Sequence, residues 1–520
     1  MMVIMGRLYL LSSNLDYAEN ARNQTITTLE MPLKRGAIYD VNHSKLTDLN
    51  KQWYGLALPG DDSYVNLFRY VPYESQSELY HRASSAASPF LIPIQKDLTE
   101  KGVFSIESYE REMPLPIAVH LLGYLDQQGH GVSGVEQAFD DVLYQSQRDI
   151  VRCTTTARGS LMNETEPLLK TAPGAAKGVQ LTLDKKIQRV VEGVAYQQIK
   201  QGAILVLDTK TAEIRAAVSC PVYDPNDIEK SIKAKDTSLI NRNFSAFNVG
   251  SVFKPLLAAA ALEEGWDENA VYDCKGWVDV DGQIYRCAMG IAHGPIDMAQ
   301  AQAQSCNCYF VELGKWLGAE KALKIAQEAK FGEPVYFAAS LKSAEGSLPT
   351  LEELQSSGEL ANFSFGQGKL TGTPVQVAAM MNIFANEGVY KQPTLVKGLV
   401  DEGTGVLQAS LYFEQEKQVI SKTTANKIKD MLCGVVNNGL GSKALPTFGG
   451  AGGKTGTAQT GRFNKDKEEL TDIWFAGFWP AKKPKYTIVV LLDETLQKST
   501  KAAELFSQVC NGLEYLEDSN

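Results

Sequence analysis

The chain has 520 residues, too many for one ordinary hydrophobic core, so two or three domains are expected. Its 44% hydrophobic and 22% charged residues are those of a globular protein, not a disordered one. A net charge of -10 and a pI near 5.3 exclude a nucleic-acid surface, which needs a basic stripe.

In chain order, Met1 to Met5 and Leu8 to Leu11 are apolar, but Gly6-Arg7 interrupts them, and the run is far short of the ~20 residues that span a bilayer. Residues 14 to 34 are polar and helix-compatible around Tyr17 to Gln24. Residues 60 to 110 show no strong periodicity. Gly129 to Glu136 brackets a serine with glycines and ends in a carboxylate, which suits either an ion pair with a base such as Arg35 or a plain turn before a helix from Val135 to Tyr144. A linker, Asn163 to Gly178, carries Pro167, Pro173 and Gly174 and marks a boundary.

Beyond it, Thr182-Leu183-Asp184 caps a predicted helix from Lys185 to Gln201, whose Ile187, Val190, Val191, Val194 and Ala195 recur at helical spacing. The apolar runs Ala203 to Leu207 and Glu213 to Val218, joined by Asp208-Thr209-Lys210-Thr211, read as an antiparallel hairpin. A buried helix is expected from Ser251, and Tyr309 to Leu317 places Phe310, Leu313 and Leu317 on one core face. Gly453 to Gln459, Asp472 to Phe478 and Tyr486 to Leu492 read as three strands, with a last helix from Ala502 to Tyr515 packing across them. Two early strands, three late ones and helices between give an α+β fold.

The cysteines, at 153, 220, 274, 287, 306, 308, 433 and 510, include no Cys-x-x-Cys pair, and Cys306-Asn307-Cys308 is too tight for ordinary tetrahedral ligation. No metal and no cofactor is therefore expected. Cys274 and Cys287 flank the hairpin signal Asp281-Gly282, so a disulfide and a pair of free buried thiols both stand open. Cys306 is expected to point into the core, His293-Gly294 to form a structural turn, and Asp472 to cap or pair structurally.

Three motifs carry chemistry. Ser251-Val252-Phe253-Lys254 puts a hydroxyl and an amine three residues apart on one helix face, close enough to share a proton. A serine needs such a base for acyl transfer, and a lysine serves only when burial or a second cation keeps it neutral. Ser305-Cys306-Asn307 and then Lys454-Thr455-Gly456-Thr457 follow in order. Ser-x-Asn alone is uninformative, since Ser12-Ser13-Asn14 also fits it; the ordered triple is the constellation of penicillin-recognising serine acyltransferases.

With these motifs the chain resembles the class B penicillin-binding proteins, the membrane-anchored D,D-transpeptidases of bacterial wall synthesis. The resemblance runs from Arg35-Gly36-Ala37-Ile38-Tyr39-Asp40 to Trp474-Phe475-Ala476-Gly477-Phe478. Between them lie Gly131-Val132-Ser133-Gly134-Val135-Glu136, Leu181-Thr182-Leu183-Asp184, Tyr223-Asp224-Pro225-Asn226 and Phe365-Gly366-Gln367-Gly368. It implies the end of a truncated membrane anchor and its linker over 1–34, an elongated α+β pedestal over 35–162, a linker over 163–178 and a β-lactamase-like transpeptidase domain, an antiparallel sheet flanked by helices, over 179–520. Val41, His43 and Thr47 depart from the usual Arg, Gly and Ala of the opening stretch.

The resemblance further implies that Ser251 attacks the penultimate D-alanine of a peptidoglycan stem peptide and that Lys254 takes its proton. Ser305 relays a proton, Asn307 bonds Lys254 or the substrate, and Lys454 is a second cation that keeps Lys254 neutral and attracts the substrate carboxylate. Thr455 and Thr457 bond that carboxylate, Gly456 leaves room for a peptide adding to an exposed edge strand, and the N–H groups of Ser251 and Thr457 form the oxyanion hole. Implied partners are stem peptides, β-lactam antibiotics and a membrane glycosyltransferase, with the catalytic domain outside the cell membrane. A β-lactamase or carboxypeptidase lacks the N-terminal pedestal, and a sensor or scaffold is the non-catalytic rival.

Overall fold

The structure, a computed structural model, describes residues 4–7, 9, 26–32, 34–48, 50–58, 67–85, 88–111, 116–144, 148–156, 161–162, 167–170, 177–234, 236–401, 404–410 and 415–518. Tyr17 to Gln24 and the Pro173-Gly174 part of the expected linker lie outside them. Among the described residues, no helix is long and apolar enough to cross a membrane.

Before residue 171 the chain builds two small antiparallel sheets, Asn50–Ala57 between Phe90–Ile94 and Ser105–Glu110, and Ile150–Thr154 between Ile26–Glu30 and Leu168–Lys170. Between residues 60 and 110, where periodicity was silent, a sheet forms from cross-strand pairing, which local spacing does not report. β1 (Ile38–Tyr39) leaves this region and pairs in parallel with β2 (Lys177–Leu181). The helix expected from Val135 to Tyr144 is broken into Gly134–Ala138 and Asp140–Leu143, because Phe139 departs from helical dihedrals. Arg35 does pair with Glu136, at 2.9 Å, and Arg111, which the sequence reading passed over, reaches the other oxygen of the same carboxylate at 2.5 Å.

α1 (Lys185–Gln198) is capped by Asp184, whose side chain accepts from the N–H groups of Lys186 and Ile187, and it ends three residues early as Ile199 turns extended. β3 (Gly202–Asp208) and β4 (Ile214–Cys220) form the expected hairpin. α2 (Lys254–Glu263) is buried nearly all round. β5 (Tyr272–Cys274), the hairpin of β6 (Trp277–Val280) and β7 (Gln283–Arg286), and β8 (Gly294–Ile296) form a small β layer beside it. α3 (Met298–Ala303) and α4 (Asn307–Leu317) follow, and Phe310, Leu313 and Leu317 of α4 are buried as expected.

α5 (Pro374–Ala385) and α6 (Lys422–Asn438) lead to β10 (Gly452–Phe463), β11 (Glu469–Trp479), β12 (Tyr486–Thr495) and the closing helix α7 (Thr500–Asp518); β9 (Val396–Asp401) lies between α5 and α6 and pairs with β2. The main sheet runs β4-β3-β12-β11-β10, antiparallel throughout. Its side chains alternate between two cores with the period of two that strands impose. Leu205, Leu207, Trp474, Ala476, Val489 and Leu491 face the α2 side. Ile204, Val206, Ile473, Phe475, Ile488 and Val490 face α1 and α7, which contribute Val191, Phe506 and Val509. This closure pairs Asp208 of β3 with Tyr486 of β12 and leaves β10 as an edge beside the Ser251 turn.

Candidate active site

Ser251 lies in a 3-10 turn, Gly250–Phe253, and the α-helix begins only at Lys254. The cause is Pro255. In a regular helix its N–H would bond the Ser251 carbonyl, but proline has none, so Lys254 N–H takes that carbonyl in an i to i+3 bond. The turn is held from three sides. Gly250, at φ +62°, donates its N–H to Gly366 O at 2.8 Å, and a Cβ on it would stand 2.9 Å from Thr457 O. Gly366, at φ +84°, comes closer still, since a Cβ there would stand 1.9 Å from Gly250 O. Trp474 Nε1 donates to Asn248 O at 2.9 Å, tying the approach segment to β11.

Lys254 is fully buried, and its ammonium donates to Asn307 Oδ1 at 2.7 Å, Ser305 O at 2.8 Å and Ser305 Oγ at 3.2 Å. Asn307 is itself oriented, because its Nδ2 donates to Arg286 O at 3.0 Å. Ser305 sits at φ +53°, a left-handed conformation that a serine adopts only under constraint. Among the described residues no hydrogen bond joins Lys254 Nζ to the Ser251 hydroxyl; the three donors of the ammonium are spent on the Ser305–Asn307 turn. Burial pushes the amine down to about 8, against an opposing electrostatic influence of the neighbouring Cys306, Cys287 and Cys308 sulfurs.

Lys454 is also fully buried, donating to Thr455 O at 3.2 Å, and lies opposite Ala476 in the register of β10 and β11. Its amine is pushed well below the ordinary lysine value, first by burial and then by the charge on Lys254. The sequence reading had Lys454 depressing Lys254; here the charge on Lys254, after burial, lowers the Lys454 amine. Thr455 is buried, Thr457 is exposed, and Gly456 is pressed between Val252 and Trp474, with a Cβ there 3.0 Å from Val252 Cγ1. The fold thus brings Ser251, Lys254, Ser305 and Asn307 to the edge strand carrying Lys454, Thr455, Gly456 and Thr457. Sequence reasoning assigned no role to Gly366, Arg286 or Asn248; paired glycines in Phe365-Gly366-Gln367-Gly368 were the one available sign, as glycine marks positive φ or close backbone approach.

Behind the Ser305–Asn307 turn, Cys274, Cys287, Cys306 and Cys308 are free and buried. Cys274 and Cys287 stand with Sγ atoms 3.7 Å apart, too far for a disulfide. Cys306 points into the core as expected, and His293, ahead of Gly294 at φ +68°, has its Nδ1 3.3 Å from Cys274 Sγ. Asp472 is buried within β11 and accepts from Glu494 N–H at 3.2 Å.

Residues 202–511 match the profile of the penicillin binding protein transpeptidase domain. The chain is similar to stage V sporulation protein D of Bacillus subtilis, 33% identical over 76% of this chain and 62% of that protein, so it spans less than two thirds of that relative. It is also similar to the peptidoglycan D,D-transpeptidase MrdA of Haemophilus influenzae, 25% identical over 95% of this chain and 86% of that one. Among solved structures, the D,D-transpeptidase domain of a peptidoglycan glycosyltransferase from Eggerthella lenta superposes with a TM-score of 0.68 at 24% identity, covering 94% of this chain and 99% of that chain. Penicillin binding protein 3 of Mycobacterium tuberculosis, complexed with aztreonam, also gives 0.68 at 23% identity, covering 95% and 97%.

Proposed function

The chain belongs to the penicillin-binding protein transpeptidase family, and from that premise we propose that it cross-links peptidoglycan stem peptides through an acyl-serine intermediate and is acylated by β-lactams. Ser251 Oγ attacks the carbonyl of the penultimate D-alanine. The bond to the terminal D-alanine breaks, and a second stem's amine then takes the acyl group. The hydroxyl proton passes to Lys254 in its neutral form, and Ser305 Oγ, 3.2 Å from Lys254 Nζ, relays a proton to the leaving amine. Backbone N–H groups of Ser251 and Thr457 stabilise the oxyanion, and losing one such donor typically costs about 3 to 4 kcal/mol. Lys454, Thr455 and Thr457 receive the substrate carboxylate, whose charge would draw the Lys454 amine back to its protonated form.

The observation that carries this reading is the convergence on the buried Lys254 amine of Ser305 and Asn307, two residues 51 and 53 positions away along the chain. A buried amine poised near 8, one turn from a serine at the mouth of an edge strand, suits a general base. In this reading residues 35–162 form the pedestal, 179–520 the transpeptidase domain, the protein works at the outer face of the cell membrane on a single-pass anchor, and a partner glycosyltransferase makes the glycan strands.

The test is intact-protein mass after benzylpenicillin, followed over hours, for the protein and for Ser251→Ala. A persistent adduct absent from the variant supports the proposal. A transient adduct with rapid drug loss points to a hydrolase, and no adduct on folded protein points to a scaffold.

A further inference from the structure

The Sγ atoms of Cys274, Cys287 and Cys306 form a near-equilateral triangle with edges of 3.7, 3.6 and 3.4 Å. His293 Nδ1 joins it 3.3 Å from Cys274 Sγ, and all four atoms lie within 4.8 Å of one another. A tetrahedral zinc site with Zn–S bonds of about 2.3 Å has S···S edges of about 3.8 Å, so this triangle is close to the size of one tetrahedral face. Buried cysteines packing as small hydrophobes would explain the burial. They would not explain an imidazole nitrogen aimed at the sulfurs, nor backbone donors on them. Gly276 N–H points at Cys274 Sγ and Tyr309 N–H at Cys306 Sγ, each at 3.4 Å. Cys306 is also the N-cap of the 11-residue α4, whose dipole favours a thiolate there.

The geometry points to a structural zinc site made by Cys274, Cys287, His293 and Cys306. Binding replaces three S–H protons, released to solvent, by three Zn–S bonds, while neutral His293 lends the fourth ligand through Nδ1. Four protein ligands leave no open position, so the ion is structural rather than catalytic. Cys308, with Sγ 3.3 Å from Cys287 Sγ, would donate its S–H to that thiolate from outside the four. Spacing along the chain argued against zinc because the donors come from separate segments: the end of β5, the residue after β7, the loop before β8 and the start of α4. Only their folding together makes the site.

Its consequence follows from Cys306 being the residue between Ser305 and Asn307. The ion would pin the strained Ser305 turn against Lys254, a positioning role that rests on the proposed transpeptidase reading, whereas metal content does not.

The experiment uses protein purified without chelator, untagged and under reducing conditions. About one zinc per chain by atomic emission is expected, and exchange with cobalt(II) should give an intense thiolate-to-cobalt charge-transfer band with the visible bands of a tetrahedral ion. Cys274→Ser, Cys306→Ser and His293→Ala should lose both, and Cys433→Ser, outside the cluster, should keep them. Because a variant can fail through misfolding, the unmutated protein is also stripped with a chelator, checked by circular dichroism and titrated with cobalt(II) alone. Folded protein with neither zinc nor a cobalt band overturns the site, as does isolation with a Cys274–Cys287 disulfide, two hydrogens lighter. Penicillin acylation should slow on stripping and return with zinc; zinc bound with no such change overturns the positioning role while leaving the Ser251 test untouched.

Discussion

Lys254 Nζ lies 2.7 Å from Asn307 Oδ1, and the other end of that amide is anchored on Arg286 O, so the active-site amine is held by a side chain that is itself held. Removing the amide by Asn307→Ala takes a hydrogen bond from a buried amine, worth about 1.5–3 kcal/mol. Acylation by a fluorescent penicillin should slow about ten- to a hundredfold, and the melting temperature should fall as well, so the rate constant is read on protein shown to be folded. An unaltered rate constant would place Asn307 outside the proton path.

The Lys254 amine, depressed to about 8, must be neutral to accept the serine proton. Deprotonation rises with pH, so the acylation rate constant should climb about tenfold per pH unit well below 8 and level off above it. Stopped-flow acylation between pH 6 and 9.5, with folding checked at each pH, tests this. A flat profile would reject Lys254 as the base.

Gly366→Ala puts a methyl group into the Gly250 carbonyl, 1.9 Å away, and should displace the Ser251 turn. A shift of about 1 Å can cost on the order of a hundredfold in rate. Gly368→Ala is the control: its φ of +76° strains an alanine similarly, but the nearest atom to its Cβ is 3.4 Å away. Both variants should lose stability, and only Gly366→Ala should lose acylation.

Glu136 accepts from two guanidiniums, Arg35 and Arg111, in a buried cluster that also holds Asp48 and Asp140. Glu136→Gln leaves both cations short of charge, and breaking such a buried pair costs about 3–5 kcal/mol. Urea unfolding should shift accordingly, while the folded fraction still acylates, because Arg35 and Arg111 bond Gly36, Thr47, Asp48, Gly129, Glu136 and Asp140, none of them in the Ser251 turn.

Asp472 has its carboxyl pushed up to about 7, chiefly by burial, with the charges of Asp493 and Glu494 adding to it and backbone N–H groups opposing. A carboxyl whose folded value is raised contributes stability that is complete below its unfolded value near 4 and is lost as pH rises through about 7. Asp472→Asn cannot titrate. Relative to the unmutated protein it should gain melting temperature from pH 5 to pH 8; a constant difference across that range would refute the assignment.

Much of the molecule was legible along the chain. The apolar run Ala203 to Leu207, the strand Tyr486 to Leu492 and the helical repeat of Ile187, Val191 and Ala195 depend on neighbours within one element, and the structure keeps them, along with the order of the three motifs. The Arg35–Glu136 pair was one of the two readings left open for that glycine-bracketed carboxylate, and the structure makes it. Where one residue disturbed the local pattern, the reading slipped: Pro255 delays the helix at Ser251 by a turn, and Phe139 breaks the one before Tyr144.

What the sequence by itself determined is therefore which residues share a strand, a helix face or a motif, because side-chain periodicity is a property of a few consecutive dihedrals. Only the tertiary structure decided that Lys254 spends its hydrogen bonds on the Ser305–Asn307 turn, that the charge on Lys254 lowers the Lys454 amine, and that three thiols and an imidazole meet behind the Ser305–Asn307 turn. Those relationships depend on burial and on distances between segments, which are set when the sheet closes strands hundreds of residues apart.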